Sequence, residues 1–351
     1  MRQMATSARS QRQYDSLPSY LGGKRRILPQ IARALPPPSV AQVLSDPFMG
    51  GGSVSLFAKA RGYRVIANDV ALRGVIVGRA LIENDRVTLA REDVARLFPN
   101  AEQRGPGFVE RVYGGEVLPT RHARFLDGAL EVARSIPGSK GWLLQLLCLR
   151  YVLTLRPMGN FGAKTIVRQI DAGEWEAVNP TFLRDHLARR MESHPQAICE
   201  ELRGKINGGV FSNGHSNEVH QGDAIELLRE TKASVVYLDP PYGGTSAYES
   251  ALKPLDSILA GKVVDHAPSE FSGRKAVESL ERLLEACAHI PYLVLSYGNA
   301  VLSPVELSQL VSRYRHDVEM KVIHMPHLAG LASAESKERN REVLIRAGKA
   351  R

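Results

Sequence analysis

Short apolar runs and amphipathic segments alternate along much of the chain, and this alternation gives the first indication of the fold. The apolar runs predict strands at Val40–Ser45, Tyr63–Asn68, Glu218–Gln221, Ser234–Leu238 and Tyr292–Ser296. The segments between them predict helices at Ser53–Arg61, Ala71–Glu83 and Arg274–His289. Strands joined by crossover helices form a parallel sheet, so the expected fold class is α/β. Two last runs are expected to pair antiparallel, Val318–Ile323 and Glu342–Ile345.

The alternation stops between residues 84 and 203, where the predicted helices Lys140–Leu155 and Phe182–Arg203 are separated by polar, Gly-rich stretches. This change predicts a mainly helical module inserted into the α/β domain. Residues 1–16 carry arginines among Ser, Gln and Thr, and are expected to form a flexible basic tail. The predicted organisation is a tail at 1–16, an α/β domain at 17–83 and 204–351, and an insertion at 84–203.

The charge, cysteine and apolar content of the chain indicate which binding partners and cellular settings to expect. The 46 Lys and Arg residues exceed the 37 Asp and Glu residues, and the net charge of +9 favours a polyanion such as nucleic acid. Cys148, Cys199 and Cys287 show no close pairing, so we expect reduced thiols, no metal site and a cytoplasmic protein. The most apolar stretch, Trp142–Leu155, is too short to cross a bilayer, and no signal-peptide pattern opens the chain.

The loop after the first predicted strand has the composition of a ligand-binding turn. It reads Asp46, Pro47, Phe48, Met49, Gly50, Gly51 and Gly52. Glycines let the backbone approach a ligand closely, and ligands bind at the carboxyl ends of parallel strands. The second strand leads into Asp69, whose carboxylate can accept hydrogen bonds from both hydroxyls of a ribose. The spacing departs from a dinucleotide-binding loop and favours S-adenosylmethionine, which contains a nucleoside but no phosphate; an ordinary strand-to-helix turn is the alternative.

A third loop, Gly222-Asp223, follows the strand at Glu218–Gln221. Asp223 is a candidate to bind the adenine amine of the cofactor. It is equally well placed to cap a helix at Ala224–Arg229. The sequence leaves both roles open.

The run Val235–Leu238 predicts a buried strand that ends in Asp239, Pro240, Pro241 and Tyr242. The exocyclic amine of adenine is a poor nucleophile, because its lone pair is delocalised into the ring. A carboxylate and a backbone carbonyl that accept its N–H groups return electron density to nitrogen, and two prolines hold that backbone rigid. We expect Asp239 and the Pro240 carbonyl to orient the amine, and Tyr242 to stack on a base that has left the duplex. The alternative is a Pro-rich turn with Tyr242 in the core.

In their order, these motifs resemble those of the DNA adenine methylase family. The resemblance covers residues 19–83 and 218–346, and includes an opening aromatic-x-Gly-Gly-Lys segment. It implies a Rossmann-like, seven-stranded, S-adenosylmethionine-dependent methyltransferase core with the insertion as target-recognition domain. It also implies that Tyr20, Gly23 and Lys24 lie at the cofactor, with Tyr20 and Lys24 at its methionine end. Tyr20 stands where the best-known members carry Trp.

Basic residues of the insertion are candidates for contact with DNA. Those expected to follow the phosphates are Arg150, Arg156, Lys164, Arg168, Arg184, Arg189 and Arg190. Arg156, Asn160 and Lys164 are the candidates to read base edges, and a solvated helix surface is the alternative for each of them. The long polar stretch Gly243–Gly273 is expected to form a flap over the flipped base.

The function expected from these features is direct methyl transfer from S-adenosylmethionine to N6 of adenine in double-stranded DNA, by a monomer or weak dimer. An RNA adenine methyltransferase would need the same chemistry at Asp239, and a catalytically silent DNA-binding protein would keep the same fold. Cytosine-amino and protein glutamine methylation are less favoured, since such enzymes more often carry Ser or Asn at the position of Asp239.

Overall fold

The computed structural model describes residues 12–18, 23–98, 105–156, 161, 164–177, 190–191, 193–241, 246–265, 269–298, 301–324 and 341–349. The strands are β1 (Val43–Asp46), β2 (Arg64–Asp69), β3 (Glu218–Gln221), β4 (Val235–Leu238), β5 (Tyr292–Gly298), β6 (Glu319–His324) and β7 (Arg341–Ala347). The helices are α1 (Leu28–Ala34), α2 (Ser53–Arg61), α3 (Leu72–Val77), α4 (Arg91–Ala95), α5 (Phe108–Tyr113), α6 (Thr120–Ser135), α7 (Gly138–Leu155), α8 (Lys164–Asp171), α9 (Pro195–Asn207), α10 (Ala224–Glu230), α11 (Ser246–Ala260), α12 (Ala276–Ala286) and α13 (Pro304–Tyr314). Short 3-10 turns lie at Lys24–Ile27 and Trp175–Ala177, and a π-helical turn at Gly78–Ile82.

One sheet contains all seven described strands, in the order β3-β2-β1-β4-β5-β7-β6. The first five strands run parallel to their neighbours, and β7 is antiparallel to both β5 and β6. This confirms the α/β class, the seven-stranded sheet and the antiparallel closing pair. The chain reverses its direction of winding between β1 and β4, where an open α/β sheet leaves a crevice at the carboxyl ends of its strands.

The chain divides into two compact units. The sheet unit comprises residues 22–70, 213–247 and 267–351, and the helical unit comprises residues 1–21, 71–212 and 248–266. The helical unit thus extends beyond the insertion expected at 84–203. Its larger extent has a physical cause, because α3 and the π-helical turn that continues it pack along α7, the long buried helix of this unit.

The stretch expected to be a polar flap, Gly243–Gly273, contains the 15-residue helix α11. The helix buries Leu255 and Ile258 in the helical unit. Its Asp256 forms an ion pair with Arg73 of α3. Much of the stretch is therefore a packed helix rather than a polar loop, and Pro254 within it disguises the helical pattern in the sequence.

Three predicted boundaries also shift for local reasons. β1 begins three residues later than expected, because a turn in which the Val40 amide donates to Pro37 (2.8 Å) precedes it. The helix expected at Phe182–Arg203 is not continuous in its described part, since α9 starts at Pro195 with His194 as its N-cap. Residues 12–15 of the expected tail form a helical turn, and Ser16 is fully buried. Within the described ranges, no helix combines the length and apolar character that crossing a bilayer requires.

A buried arginine holds the carboxyl-terminal end of the sheet unit together. Arg315 follows α13 and has no solvent exposure. Its guanidinium donates to the carbonyls of Ile290 (2.6 Å), Gly348 (3.3 Å) and Cys287. These acceptors lie just before β5 and just after β7, so one side chain fixes the ends of two paired strands.

We expect Arg315→Met to lower the free energy of unfolding by about 2 to 4 kcal/mol, because it removes the guanidinium donors to the carbonyls of Ile290, Cys287 and Gly348. The matched control is Arg313→Met. Arg313 lies in the last turn of α13, and its exposed side chain forms an ion pair with Glu281 of α12. This substitution should cost less than about 0.5 kcal/mol. Equal losses of stability in urea unfolding would show that the buried contacts of Arg315 contribute little.

Candidate active site

Three acidic residues predicted from the sequence meet at one edge of the sheet. Asp46 ends β1, Asp69 ends β2, and Asp239 follows β4 directly. β1 lies between β2 and β4 and is parallel to both, so the three carboxylates emerge at neighbouring carboxyl ends. The structure therefore brings together residues that are almost two hundred positions apart in the chain.

Asp46 is buried, with 1% of its surface exposed. Its Oδ2 accepts a hydrogen bond from Ser55 of α2 (2.6 Å), and Oδ1 has no hydrogen-bond partner among the described residues. Burial raises the pKa of Asp46 to about 7, opposed by the Ser55 hydrogen bond and reinforced by the charges of Asp239 and Asp69. The site thus holds a carboxyl group that is suited to an additional donor, above all to a cation.

The Gly-rich loop between Asp46 and α2 has the backbone that its sequence indicates. Gly50 and Gly52 have φ values of 52° and 74°, in the left-handed region that side chains with a Cβ rarely adopt. Gly52 is the N-cap of α2. The Gly50 amide donates to Oδ2 of Asp69 (2.7 Å), which joins the loop to the end of β2. Phe48 packs edge-on against Phe271, with 5.3 Å between ring centroids.

Asn68 connects two of the loops at this edge, a role that the sequence did not reveal. Its side chain is buried, and Nδ2 donates to the carbonyls of Pro47 (3.1 Å) and Gly222 (3.0 Å). One amide therefore ties the loop after β1 to the loop after β3. The available signal was a polar residue at the end of an otherwise apolar strand, next to Asp69.

Asp223 is exposed and caps α10, with Oδ1 accepting from the amides of Ile225 (2.8 Å) and Glu226 (3.0 Å). The capping alternative is confirmed. A part for Asp223 in cofactor binding stays a proposal.

Asp239 belongs to a buried charge network. The Lys24 ammonium lies 2.9 Å from Oδ1 of Asp239 and 2.7 Å from Oε1 of Glu342, and Ser296 donates to the same Glu342 oxygen. Lys24 and Glu342 are 5% and 4% exposed. The Lys24 ammonium is therefore stabilised by protein carboxylates rather than by hydration. Lys24 begins a 3-10 turn that leads into α1, and α1 packs on β7, the strand that carries Glu342.

Lys24 was expected at the methionine end of a cofactor, and that role stays a prediction. Its ammonium pairs with two acidic side chains of the sheet unit, Asp239 and Glu342. Sequence reasoning did not identify Glu342 or Ser296, because neither belongs to a recognisable motif. Burial raises the pKa of Asp239 to about 6, with Lys24 lowering it and Glu342 raising it.

The remaining candidates have mixed outcomes. Pro240 is buried and Pro241 is half-buried after Asp239, and Gly23 is the N-cap of the 3-10 turn. Tyr20, Tyr242 and Asn160 lie outside the described residues. The expected base-reading residues that are described belong to the helical unit: Arg156 follows α7, and Lys164 begins α8.

Lys164 is exposed and forms an ion pair with Glu116 (2.7 Å), which also pairs with Arg168 (2.7 Å). Both ion pairs are solvent-exposed, so Lys164 and Arg168 can easily exchange Glu116 for another anion.

Among the described residues, no group of three or more His, Cys, Asp or Glu side chains is placed so that it could hold a metal ion.

The raised pKa of Asp46 gives a stability effect of defined sign. Between the usual value of 3.8 and about 7, the folded protein holds a proton that the unfolded chain has released, so this group's contribution to stability is lost as pH rises. Asp46→Asn cannot ionise. Its free energy of unfolding should therefore rise relative to wild type between about pH 4 and about pH 7, by an amount on the order of 4 kcal/mol. A constant difference between the two proteins in urea unfolding across that range would contradict the assignment.

Comparison with known proteins fits this geometry. A family model described as D12 class N6 adenine-specific DNA methyltransferase matches residues 20–123. The chain is 32% identical over 341 residues to Type II methyltransferase M2.HphI of Haemophilus parahaemolyticus, across 93% of this chain and 96% of that protein. It is 22% identical to Modification methylase StsI of Streptococcus sanguinis, across 88% of this chain and 48% of that protein. The chain belongs to the D12 class of N6 adenine-specific DNA methyltransferases.

Proposed function

We propose that this enzyme transfers the methyl group of S-adenosylmethionine to N6 of adenine at a specific site in double-stranded DNA, after the base has left the helix. The observation that carries the proposal is the convergence of Asp46, Asp69 and Asp239 at one sheet edge, with the Lys24 ammonium 2.9 Å from Oδ1 of Asp239. The names of the two relatives, a Type II methyltransferase and a modification methylase, support a role in restriction-modification.

The residues at the sheet edge fit S-adenosylmethionine as the methyl donor. Oδ1 of Asp46 is a buried acceptor without a partner among the described residues, which suits the amino group of the methionine portion. Asp69 ends the neighbouring strand, where a ribose would be bound, and the left-handed glycines leave backbone without Cβ atoms between the two acids. The cofactor, when bound, supplies a methyl group activated by its sulfonium charge.

The contacts of Asp239 support its proposed catalytic role. The Lys24 ammonium lies 2.9 Å from Oδ1, and we assign the other oxygen of this carboxylate to the substrate. Oδ2 is therefore the acceptor for one N–H of the target amine, while the Pro240 carbonyl accepts the other. These bonds orient the nitrogen lone pair and increase its electron density for attack on the methyl carbon. The bond from that carbon to the sulfonium sulfur would break as the N–C bond forms, with sulfur leaving as a neutral thioether. The proton that the methylated nitrogen must lose then passes to Asp239, whose pKa of about 6 lies close to neutrality.

Base flipping completes the proposal. The amine of a stacked, paired adenine cannot reach a buried carboxylate, so the base must leave the helix. Tyr242 is proposed to stack on the extruded base and Tyr20 to face the sulfonium, in keeping with the motifs that they belong to. Recognition of the surrounding sequence is assigned to Arg156, Asn160 and Lys164.

Asp239→Ala tests the chemistry. We expect a loss of methyl transfer of about a thousandfold or more, with DNA affinity and cofactor affinity changed by less than about fivefold. The measurement is incubation with methyl-labelled S-adenosylmethionine and unmethylated duplex DNA, followed by nucleoside digestion and mass spectrometry. Full activity of the variant would exclude Asp239 as the acceptor. If a competing RNA were labelled in preference to duplex DNA, the substrate would be RNA rather than DNA.

Lys164→Ala and Arg168→Ala separate base reading from phosphate contact. Both side chains pair with Glu116 and lie on α8, so they are well matched. We expect Lys164→Ala to relax the preferred methylation site, whereas Arg168→Ala should weaken binding at all sites and reduce the salt dependence of affinity. Methylated positions can be mapped by sequencing DNA treated with each variant. An unchanged site preference for Lys164→Ala would remove it from the recognition set.

A further inference from the structure

The Lys24 ammonium is shared between two carboxylates that differ in their access to a substrate. Asp239 has 19% of its side chain exposed, whereas Glu342 has 6% and accepts a further hydrogen bond from Ser296. Glu342 lies on β7, paired with Gly298 of β5, at the far end of the chain from Lys24. Nothing in the proposed reaction requires a second buried acid at this position.

We propose that Glu342 is a positioning residue that acts through Lys24, holding the ammonium on Oδ1 of Asp239 and so keeping Oδ2 available for the adenine amine. The inference rests on the proposed catalytic role of Asp239. It adds a residue that does not contact the substrate but determines which oxygen of the catalytic carboxylate the substrate meets.

The argument depends on the geometry of an ammonium group. Lysine carries a compact charge on a flexible stem, and its three N–H donors rotate freely. Without an acceptor at Glu342, the ammonium would be held less firmly at Oδ1 and could compete with the amine for Oδ2. A second carboxylate at 2.7 Å, itself fixed by Ser296, directs one N–H away from Asp239 and restricts this motion.

The electrostatic consequence can be measured separately. Among the described residues, the charges of Lys24 and of Glu342 on β7 act on Asp239, and the charge of Asp239 acts in turn on Asp46 of β1 and on the neutral Tyr237 of β4. Lys24 stabilises the Asp239 carboxylate, and the negative charge of Glu342 opposes its ionisation. Removal of that charge should therefore make Asp239 easier to ionise.

Glu342→Gln is the first variant, because the amide keeps an acceptor oxygen for Lys24 but removes the charge. We expect the apparent pKa of Asp239 to fall by about one unit, measured by carbon NMR of the full chain with labelled aspartate and assigned with Asp239→Asn. The acid limb of kcat against pH should move in the same direction. Glu319→Gln is the matched control, since it makes the same change at an exposed ion pair of β6 in the same sheet.

Glu342→Ala removes the acceptor as well. We expect its kcat above the acid limb to fall at least about tenfold, while KM for DNA and for the cofactor changes by less than about threefold. An Asp239 titration unchanged by Glu342→Gln, or a wild-type kcat in Glu342→Ala, would overturn the proposal.

If the alanine variant does not fold, the titration of the glutamine variant decides alone. A downward shift supports the coupling, and no shift or an upward shift refutes it. If wild-type protein shows the Asp239 titration but transfers no methyl group to adenine of duplex DNA, the proposed function is wrong and the coupling of Glu342 to Asp239 is not.

Discussion

The site depends on the burial of one ammonium group between two carboxylates. An isolated buried charge is strongly unfavourable, so each member of the network requires the others. Lys24 and Glu342 come from opposite ends of the chain, and they meet because β7 enters the sheet antiparallel beside β5 while α1 packs on β7. The last strand of the sheet thus completes the surroundings of Asp239 as well as the core. Burial keeps the pKa of Asp239 above its ordinary value, and Glu342 adds to this effect while Lys24 opposes it.

The parallel strands perform the complementary task of placing ligand-binding groups at one edge. The register of β1 with β2 and β4 sets the positions of their carboxyl ends, and the loops that follow are held by few, specific contacts. Asn68 joins two of these loops through its amide, and Asp69 accepts the amide of Gly50 in a third contact. Such contacts fix loop backbone that the strands themselves do not reach. The precision of the edge therefore depends on Asn68, which lies outside the motifs, as well as on the motif residue Asp69.

The sequence predicted what is local or periodic. Alternation gave the sheet and its closing pair, and the loops after β1, β2 and β4 were identified because glycine, proline and acidic residues have strong local preferences. It did not predict contacts between distant segments, such as that of Lys24 with Glu342, since pairing of two charges leaves no pattern in either segment. The helix α11 was missed for a related reason. Pro254 breaks the helical pattern in the sequence, but the helix continues through it because tertiary contacts, including the Arg73–Asp256 ion pair, stabilise it. The extent of the helical unit likewise follows from packing on α7 rather than from composition.

The raised pKa values of Asp46 and Asp239 lower the stability of the folded chain and also suit these residues to their proposed roles. Two acids that prefer to hold protons when buried destabilise the folded chain near neutral pH, and the proposed cofactor brings the cationic groups that relieve this destabilisation. Binding of a cation beside Asp46 favours its carboxylate and releases a proton, so cofactor affinity, protein stability and pH are linked through the same group. Asp239 differs, because Lys24 already supplies a cation and leaves its pKa lower than that of Asp46 despite the second acid nearby. The two carboxylates are thus suited to different tasks: one to hold a positive ligand, the other to accept and exchange a proton.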